Sequence, residues 1–273
     1  MDEIIITIMK YLFNKEAHVH TLDGVALTGT SSIGNVLAKP LTWWASGLAC
    51  EKFGWLNPKK NTPEAVQNAL EEGFKRIKAL TLVAFGKLLT EAYYAHSKVL
   101  KEKAEAGTDL HAELEHWVKS QMGKVPERAD YDEKIKPYIE WSKASVKQYV
   151  ASEAHCFDET LFVGGITDAV AEMNDGKLAV IDFKSSKEAY PTQFIQCSGY
   201  AIQIDKNGLF SEDGEHSKKL DKKIDALIVV PFGAEKIAPD IRFNVEDYKT
   251  GFRQAVGLYR LLGLDQKIKE NAK

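Results

Sequence analysis

The chain has 273 residues, of which 44% are hydrophobic and 27% are charged, a composition typical of globular proteins. No apolar run reaches the roughly 18 residues that a membrane span requires, and no targeting signal is evident, so we expect a cytoplasmic protein without a membrane partner. The net charge of −3 argues against a protein that coats duplex nucleic acid through bulk positive charge. Nucleic acid binding would instead need a local basic groove, or metal ions that bridge carboxylates and phosphates.

The first half of the chain is predicted to be mostly helical. Thr62 and Pro63 are typical of a helix N-cap followed by a first helical residue. Pro40 interrupts an earlier helical pattern. The predicted elements are a strand over 3–8, an extended pair from Val19 to Leu27 around Asp23-Gly24, a helix start at Thr30-Ser31-Ser32, and helices over Trp43–Phe53, from Pro63 to about Leu82, onward through Val99, over 108–121 after Gly107, and from Asp132 to Val150.

After residue 150 the hydrophobic pattern changes to that of strands. Asn174-Asp175-Gly176 is a hairpin turn signal. The predicted elements are strands over Glu153–Phe157, Leu161–Val163, Ile166–Met173 and Leu178–Lys184, a helix over 192–204, a buried strand over Ile224–Val230 and a closing helix over 246–262. The coarse order is helices and then β-β-β-α-β-α, in which the short segment Leu161–Val163 is not counted separately. It indicates an α/β or α+β core with a central sheet and an N-terminal helical layer.

Two carboxylates and one ammonium are predicted to converge beside the hairpin. Asp182 and Lys184 are two residues apart on a strand, so they point to the same face. If Met173 pairs with Lys177 across a three-residue turn, the register places Asp168 opposite Asp182, and a slip of one residue would separate them. Such a group suits a hard divalent cation and phosphodiester hydrolysis. From the spacing alone, an exposed Asp–Lys ion pair without a chemical role is an equally good interpretation.

Four short motifs occur in order along the chain: Gly107-Thr108-Asp109-Leu110-His111, the G-x-x-D segment Gly165–Asp168, the D-x-K segment Asp182–Lys184 and the Q-x-x-x-Y segment Gln196–Tyr200. Together they resemble the PD-(D/E)XK nuclease superfamily, in the branch that contains the RecB-type and phage exonucleases. The segment DGVALTGTSSIGNVLAKPLTWWA resembles, more loosely, the opening of phage-encoded members. The chain departs from the superfamily name in having Asp at 182 and no proline just before Asp168.

The resemblance implies a restriction-endonuclease-like core with a central mixed β-sheet flanked by helices. It also implies a site that holds one or two Mg²⁺ or Mn²⁺ ions. His111, Asp168, Asp182 and the backbone carbonyl of Phe183 would be the metal ligands, and Lys184 would be the catalytic lysine. An imidazole ligand prefers softer cations than Mg²⁺, so the site should accept Mn²⁺ well.

Five further residues are weaker candidates. The resemblance implies that Gln196 and Tyr200, one helical turn apart, support the site or contact DNA, although a polar core pair is the alternative. Ser185 and Ser186 follow the lysine and could donate to a phosphate. Glu153 begins the strand that leads to the G-x-x-D segment and could be an extra acid near the metals, or a solvent-facing acid.

The function implied is that of a metal-dependent DNA exonuclease of the phage or prophage type, processing DNA ends in recombination or repair. A structure-specific or restriction-like endonuclease on the same fold and a non-catalytic nucleic-acid-binding relative remain alternatives. Only five arginines occur, so sequence readout at base edges is not favoured. The three cysteines, Cys50, Cys156 and Cys197, cannot supply the four thiolates of a usual iron–sulfur cluster.

We expect one nuclease domain over 1–273, in which 1–106 form an N-terminal strand and helical elaboration and 107–273 form the catalytic core. The expected partner is DNA with a free end. No helicase-type phosphate-binding motif is visible, so any motor or recombinase would be a separate chain. A recombinase or a single-strand-binding protein is a further candidate partner. A homo-oligomer is left open.

Overall fold

The computed structural model describes residues 10–37, 41–214, 216–233, 235 and 237–265. The strand predicted over 3–8 and the interruption at Pro40 lie outside these residues. The chain divides into two compact units, one made of Met1–Ala38 with Gly107–Lys273 and the other of Lys39–Ala106. Among the described residues, no helix is both long enough and apolar enough to cross a membrane.

The larger unit is built on a mixed eight-stranded sheet in the order β11-β10-β7-β6-β5-β8-β9, with β4 beside β6. β7 pairs with β10 in parallel, β4 pairs with β6 in parallel, and the other pairs are antiparallel. A small antiparallel sheet, β1-β2-β3, precedes it. The strands are β1 Tyr11–Asn14, β2 Val19–Leu22, β3 Val25–Ala26, β4 Thr28–Gly29, β5 Val146–Asp158, β6 Val163–Met173, β7 Leu178–Lys184, β8 Leu209–Phe210, β9 His216–Lys218, β10 Ala226–Pro231 and β11 Asp240–Arg242.

Helices cover both faces of the sheet, because the side chains of its central strands alternate between two apolar clusters. Ile181 of β7 packs with Trp117 and Tyr138 on one face, and its neighbour Val180 packs with Cys197 on the other. The helices are α1 Thr30–Gly34, continued by a 3₁₀ turn over Asn35–Leu37, α2 Thr42–Glu51, α3 Pro63–Lys78, α4 Leu82–Tyr93, α5 Ala95–Gln121, α6 Lys136–Ser145, α7 Pro191–Asn207 and α8 Val245–Leu261. The central mixed sheet flanked by helices is therefore confirmed.

The hairpin between β6 and β7 has the predicted register. The Met173 N–H donates to the Lys177 carbonyl at 2.8 Å across the turn Asn174–Gly176. The ladder continues in step to its last pair, Ala169 opposite Ile181. The main order of the second half, β5-β6-β7-α7-β10-α8, is also the predicted one once the short strands are set aside.

The helix predicted from Asp132 to Val150 is wrong at its C-terminal end. α6 ends at Ser145, and β5 begins at Val146 in an extended backbone conformation, with φ −92° and ψ 124°. Val146 pairs with Met173 at the far end of β6. Pairing with a neighbouring strand thus outweighs local helical periodicity, which a single segment of sequence cannot reveal.

The helix predicted to start after Gly107 is also wrong, because α5 runs unbroken through that glycine. A Cβ at Gly107 would lie 3.2 Å from the Cβ of Ser185, so the glycine permits a close approach to the end of β7 rather than starting a helix. β6 runs from Val163 to Met173 and contains the predicted strand Ile166–Met173. The separate strand predicted over Leu161–Val163 is wrong, because Leu161 and Phe162 lie in the turn before β6. β4, β8, β9 and β11 are two or three residues long, too short for a recognisable alternation.

The smaller unit is helical and has few buried residues. The Thr62 side chain caps α3 as predicted, accepting a hydrogen bond from the Ala65 N–H at 3.2 Å. Among its described residues only Gly73, Ala92 and Ala95 are buried. The described part of this unit therefore has no buried core of large apolar side chains.

Candidate metal centre

The candidate site lies where β6 and β7 separate. Beyond the pair Ala169–Ile181 the two strands no longer form a ladder, and further along β6 the short strand β4 occupies the same edge. Continuing the register places Asp168 opposite Asp182. The Asp168 carboxylate accepts a hydrogen bond from the Phe183 N–H at 2.6 Å. The Asp168 side chain therefore bridges the two strands where their backbones diverge.

His111, Glu153 and Asp168 converge at this point. The His111 Nε2 lies 3.3 Å from the Asp168 Oδ1. One ligand atom from each of the three residues lies within 4.8 Å of the others. His111 lies on α5, Glu153 on β5 and Asp168 on β6, so three residues that are far apart in the chain meet at one point.

Glu153 occupies this position through an unusual backbone conformation. Its φ of 50° is in the left-handed region, which costs a residue with a side chain about 1–2 kcal/mol. The strand pairs on either side place it opposite Asp168. Its Oε1 is buried and has no hydrogen-bond partner among the described residues. Burial, with the charges of Asp168 and Glu115, raises the pKa of Glu153 to about 7. A strained residue with an unpaired buried oxygen is what a ligand position would produce.

Asp182 and Lys184 form an ion pair beside the group of three, with the Lys184 Nζ 2.7 Å from the Asp182 Oδ2. Burial, with the charge of Asp168, raises the pKa of Asp182 to about 6 against the opposing effect of Lys184. Burial alone would lower the pKa of Lys184, but the charges of Asp182 and Asp168 outweigh it and leave that pKa above its ordinary value. Lys184 is therefore a charged ammonium, and Asp182 is engaged with it rather than belonging to the group of three.

The donor set fits a divalent cation. Burial lowers the pKa of His111, but the hydrogen bond and charge of Asp168, with the charge of Glu153, raise it to about 9. Without a cation, His111 and Glu153 therefore bind protons more readily than usual. A bound cation would replace these protons in neutralising the two carboxylates. The two carboxylates suit Mg²⁺ and Mn²⁺, and the imidazole favours Mn²⁺ over Mg²⁺. The Phe183 carbonyl points to the same strand edge as its N–H, toward Asp168, because both groups of one strand residue face the same neighbour.

Gln196 and Tyr200 lie together on α7, and the Gln196 Nε2 donates to the Tyr200 hydroxyl at 2.8 Å. A Cβ at Gly165 would lie 2.7 Å from both the Tyr200 ring and the Thr30 Oγ1. The glycine of the G-x-x-D segment therefore lets the tyrosine and the threonine pack directly on β6. Burial, with the charges of Asp182 and Asp168, raises the pKa of Tyr200 well above its ordinary value. The Tyr200 hydroxyl therefore keeps its proton.

The two serines after the lysine differ. The Ser186 hydroxyl donates to the Glu188 carbonyl at 2.8 Å and accepts from the Gln193 Nε2 at 3.1 Å, so it serves the loop before α7. Ser185 is exposed next to Gly107. Of these two serines, Ser185 is thus the one with an exposed side chain near the end of β7.

One tyrosine and two histidines, none of them predicted as site residues, form a buried cluster that joins β1, β2 and β5. The Tyr11 hydroxyl lies 2.5 Å from the His20 Nδ1 and 3.2 Å from the His155 Nδ1. Burial, with the charges of His155 and His18, lowers the pKa of His20 to about 3, so its ring is neutral. Tyr11 and His20 lie nine residues apart on the paired strands β1 and β2, whereas His155 lies far along the chain on β5. No motif links His155 to the other two, so the sequence carried no signal for the cluster.

No protein-family model matches the chain, and no curated protein matches it either. The three cysteines are free thiols, two of them buried, and none belongs to the group of three ligand residues.

Proposed function

We propose that the protein is a metal-dependent DNA exonuclease with a restriction-endonuclease-like core, of the RecB-like and phage branch of the PD-(D/E)XK superfamily. The observation that carries the proposal is the convergence of His111, Glu153 and Asp168 next to the Asp182–Lys184 ion pair. Carboxylates, an imidazole and a charged lysine at the end of a strand pair are the groups that metal-assisted phosphodiester hydrolysis needs.

His111, Glu153, Asp168 and the Phe183 carbonyl would hold Mg²⁺ or Mn²⁺, and Asp182 is the next carboxylate available. A bound ion supplies Lewis acidity, which activates water and stabilises charge on the leaving oxygen. Asp168 is already oriented for this role by the Phe183 N–H, so little reorganisation is required.

Lys184 has a role that no carboxylate can supply. Its ammonium stays charged and is held by Asp182 on the face where Asp168 lies. A positive charge fixed there neutralises negative charge that develops on a phosphate and attracts the phosphate before reaction. Asp182 thus positions Lys184, and the hydrogen-bonded pair Gln196–Tyr200 supports the same side of the sheet.

The test compares end-labelled linear DNA with covalently closed circular DNA in Mg²⁺, in Mn²⁺ and in EDTA. We expect progressive loss of the linear DNA with either ion, survival of the circle, and no cleavage in EDTA. Asp168→Asn should abolish cleavage, whereas the matched control Glu172→Gln, on the same strand in an ion pair with Lys147, should not.

The same experiment separates the alternatives. Discrete fragments from the circle would favour an endonuclease on this fold. DNA binding without cleavage in the presence of any of these metal ions would favour a non-catalytic relative. The absence of both DNA binding and DNA cleavage would contradict the proposal altogether.

A further inference from the structure

Positive charge is concentrated in the smaller unit, Lys39–Ala106. This segment contains 11 lysines and arginines against seven glutamates and no aspartate, a net charge of +4. Because the whole chain carries −3, the remaining residues carry −7. The negative charge of the whole chain therefore conceals a basic helical unit, and such an asymmetry suggests an anionic partner for that unit.

Within this unit the cations lie in two segments that contain no acidic residue. We name residues 52–63 and 73–90 the first and second basic segments, and their cations are Lys52, Lys59 and Lys60 in the first and Lys75, Arg76, Lys78 and Lys87 in the second. The helix dipole favours cations in the last turn of α3, but it favours acids in the first turn of α4, which has none. The distribution of charge therefore exceeds what helix stability requires.

The two basic segments contact each other directly. A Cβ at Gly73 would lie 2.8 Å from the Gly54 Cα, so the turn after α2 packs backbone to backbone on the C-terminal half of α3. The Arg76 guanidinium donates a hydrogen bond to the Lys52 carbonyl across the same contact. Together the two segments form what we call the basic surface.

The charges of the basic surface are available to a ligand. Lys59, Lys60, Arg76 and Lys78 are exposed, and among the described residues none of the four has a carboxylate partner. The one exposed aromatic side chain in the two segments, all of which the structure describes, is Phe74, and the Lys78 Nζ lies 4.6 Å from its ring centroid. The surface thus offers cations rather than free aromatic faces, which suits phosphates better than unpaired bases.

We propose that the basic surface binds the phosphate backbone of duplex DNA and holds the substrate from which the metal centre removes nucleotides. The inference rests on the proposed function, which makes DNA the substrate. A duplex carries about one negative charge per 1.7 Å of its axis, and its stacked bases need no aromatic platform. Backbone contacts of this kind retain DNA of any sequence.

An anionic membrane is the other partner that basic helices can bind, through an apolar face that enters the lipid. The first basic segment exposes no large apolar side chain, and all of its residues are described. The basic surface therefore lacks the apolar anchor there that a membrane requires, and its charge fits DNA better.

The first test measures the salt dependence of duplex binding by fluorescence anisotropy in EDTA, where no metal contributes. The variant Lys60→Gln with Lys78→Gln removes one cation from each basic segment and leaves the hydrogen bond between Arg76 and Lys52 intact. We expect the slope of log Kd against log salt to fall by about 2, one for each lost phosphate contact. Affinity near 0.1 M salt should fall at least about tenfold.

A matched control removes the same two charges from the larger unit. Lys134→Gln with Lys136→Gln lies at the start of α6, where Asp130 and Glu133 pair with Lys136. It should leave both the slope and the affinity unchanged. An equal loss in this control, or a wild-type slope in the variant of the basic surface, would overturn the inference while leaving the nuclease proposal intact.

The partner and the chemistry are tested separately. Loss of binding to single-stranded DNA alone, or binding of the wild type to vesicles of anionic lipid but not to duplex DNA, would overturn the assignment of the duplex. In cleavage assays with Mn²⁺ the effect of Lys60→Gln with Lys78→Gln should fall on KM rather than on kcat, and a loss confined to kcat would contradict a holding role. The expected change of slope in a protein that cleaves nothing would support the basic surface and contradict the nuclease proposal.

Discussion

Replacing Asp182 by Asn should make the metal-free protein more stable at pH 8, although it removes a residue of the proposed site. The carboxyl group is 2% exposed, and burial dominates the rise of its pKa from 3.8 to about 6. Each pKa unit corresponds to about 1.4 kcal/mol, so the ionised side chain costs the folded state about 3 kcal/mol. That figure already includes the favourable ion pair with Lys184.

The pH dependence fixes the sign of this effect. Because the folded state binds the Asp182 proton more tightly than the unfolded state does, the cost is absent below about pH 4 and complete above about pH 6. Asparagine resembles the protonated carboxyl group and avoids that cost. The variant should therefore exceed the wild type by about 3 kcal/mol at pH 8, and the difference should vanish near pH 4.

Urea-induced unfolding in EDTA at both pH values measures the difference. Asp175→Asn is the matched control, because Asp175 is an exposed turn residue whose pKa is lowered by hydrogen bonds from Lys177. A variant of Asp182 that is less stable than the wild type at pH 8 would refute the reasoning. It would show that the ion pair with Lys184 outweighs the burial of the charge.

Three further predictions concern the site and the packing around it. Lys184→Ala should lower turnover by about 10²-fold or more while calorimetric titration shows Mn²⁺ affinity unchanged or tighter, and wild-type cleavage would contradict the assigned role. Because His111 and Glu153 hold protons in the metal-free site, Mn²⁺ binding at pH 7.5 should release about one proton, with affinity rising up to about pH 9. Titrations in buffers of different ionisation enthalpy detect this release, and identical heats would exclude it. Gly165→Ala should lower the free energy of unfolding by about 1–3 kcal/mol, because its Cβ would meet two side chains at 2.7 Å. Gly257→Ala in α8, where nothing lies within 4 Å, should raise it by up to about 1 kcal/mol, and equal effects in denaturant titrations would contradict the packing argument.

The parts of the site that are set by a short stretch of sequence could be predicted, and the parts that are set by distant contacts or by an unusual backbone conformation could not. The turn Asn174–Gly176 sets the register of β6 and β7, so the relation of Asp168 to Asp182 followed from a short segment. The position of Glu153 depends on a left-handed backbone conformation that no sequence pattern signals in a glutamate.

Other features depend on contacts between distant parts of the chain. The approach of Tyr11 to His155 requires the first strand to pack beside β5, and no motif links the two. Likewise Val146 is a strand residue only because Met173 lies next to it in the sheet. Such pairings are decided by tertiary packing, so periodicity within one segment assigns the wrong element.

The scarcity of buried residues in the unit 39–106 has a consequence for how the molecule opens. Its described residues bury only Gly73, Ala92 and Ala95, whereas Trp43 is 91% and Leu82 is 86% exposed. Unfolding these helices would expose little new apolar surface, so it should take up little heat and depend weakly on denaturant. Their amide protons should exchange with solvent through small local openings, long before those of β6 and β7, and a protease added to the native protein should cut there first.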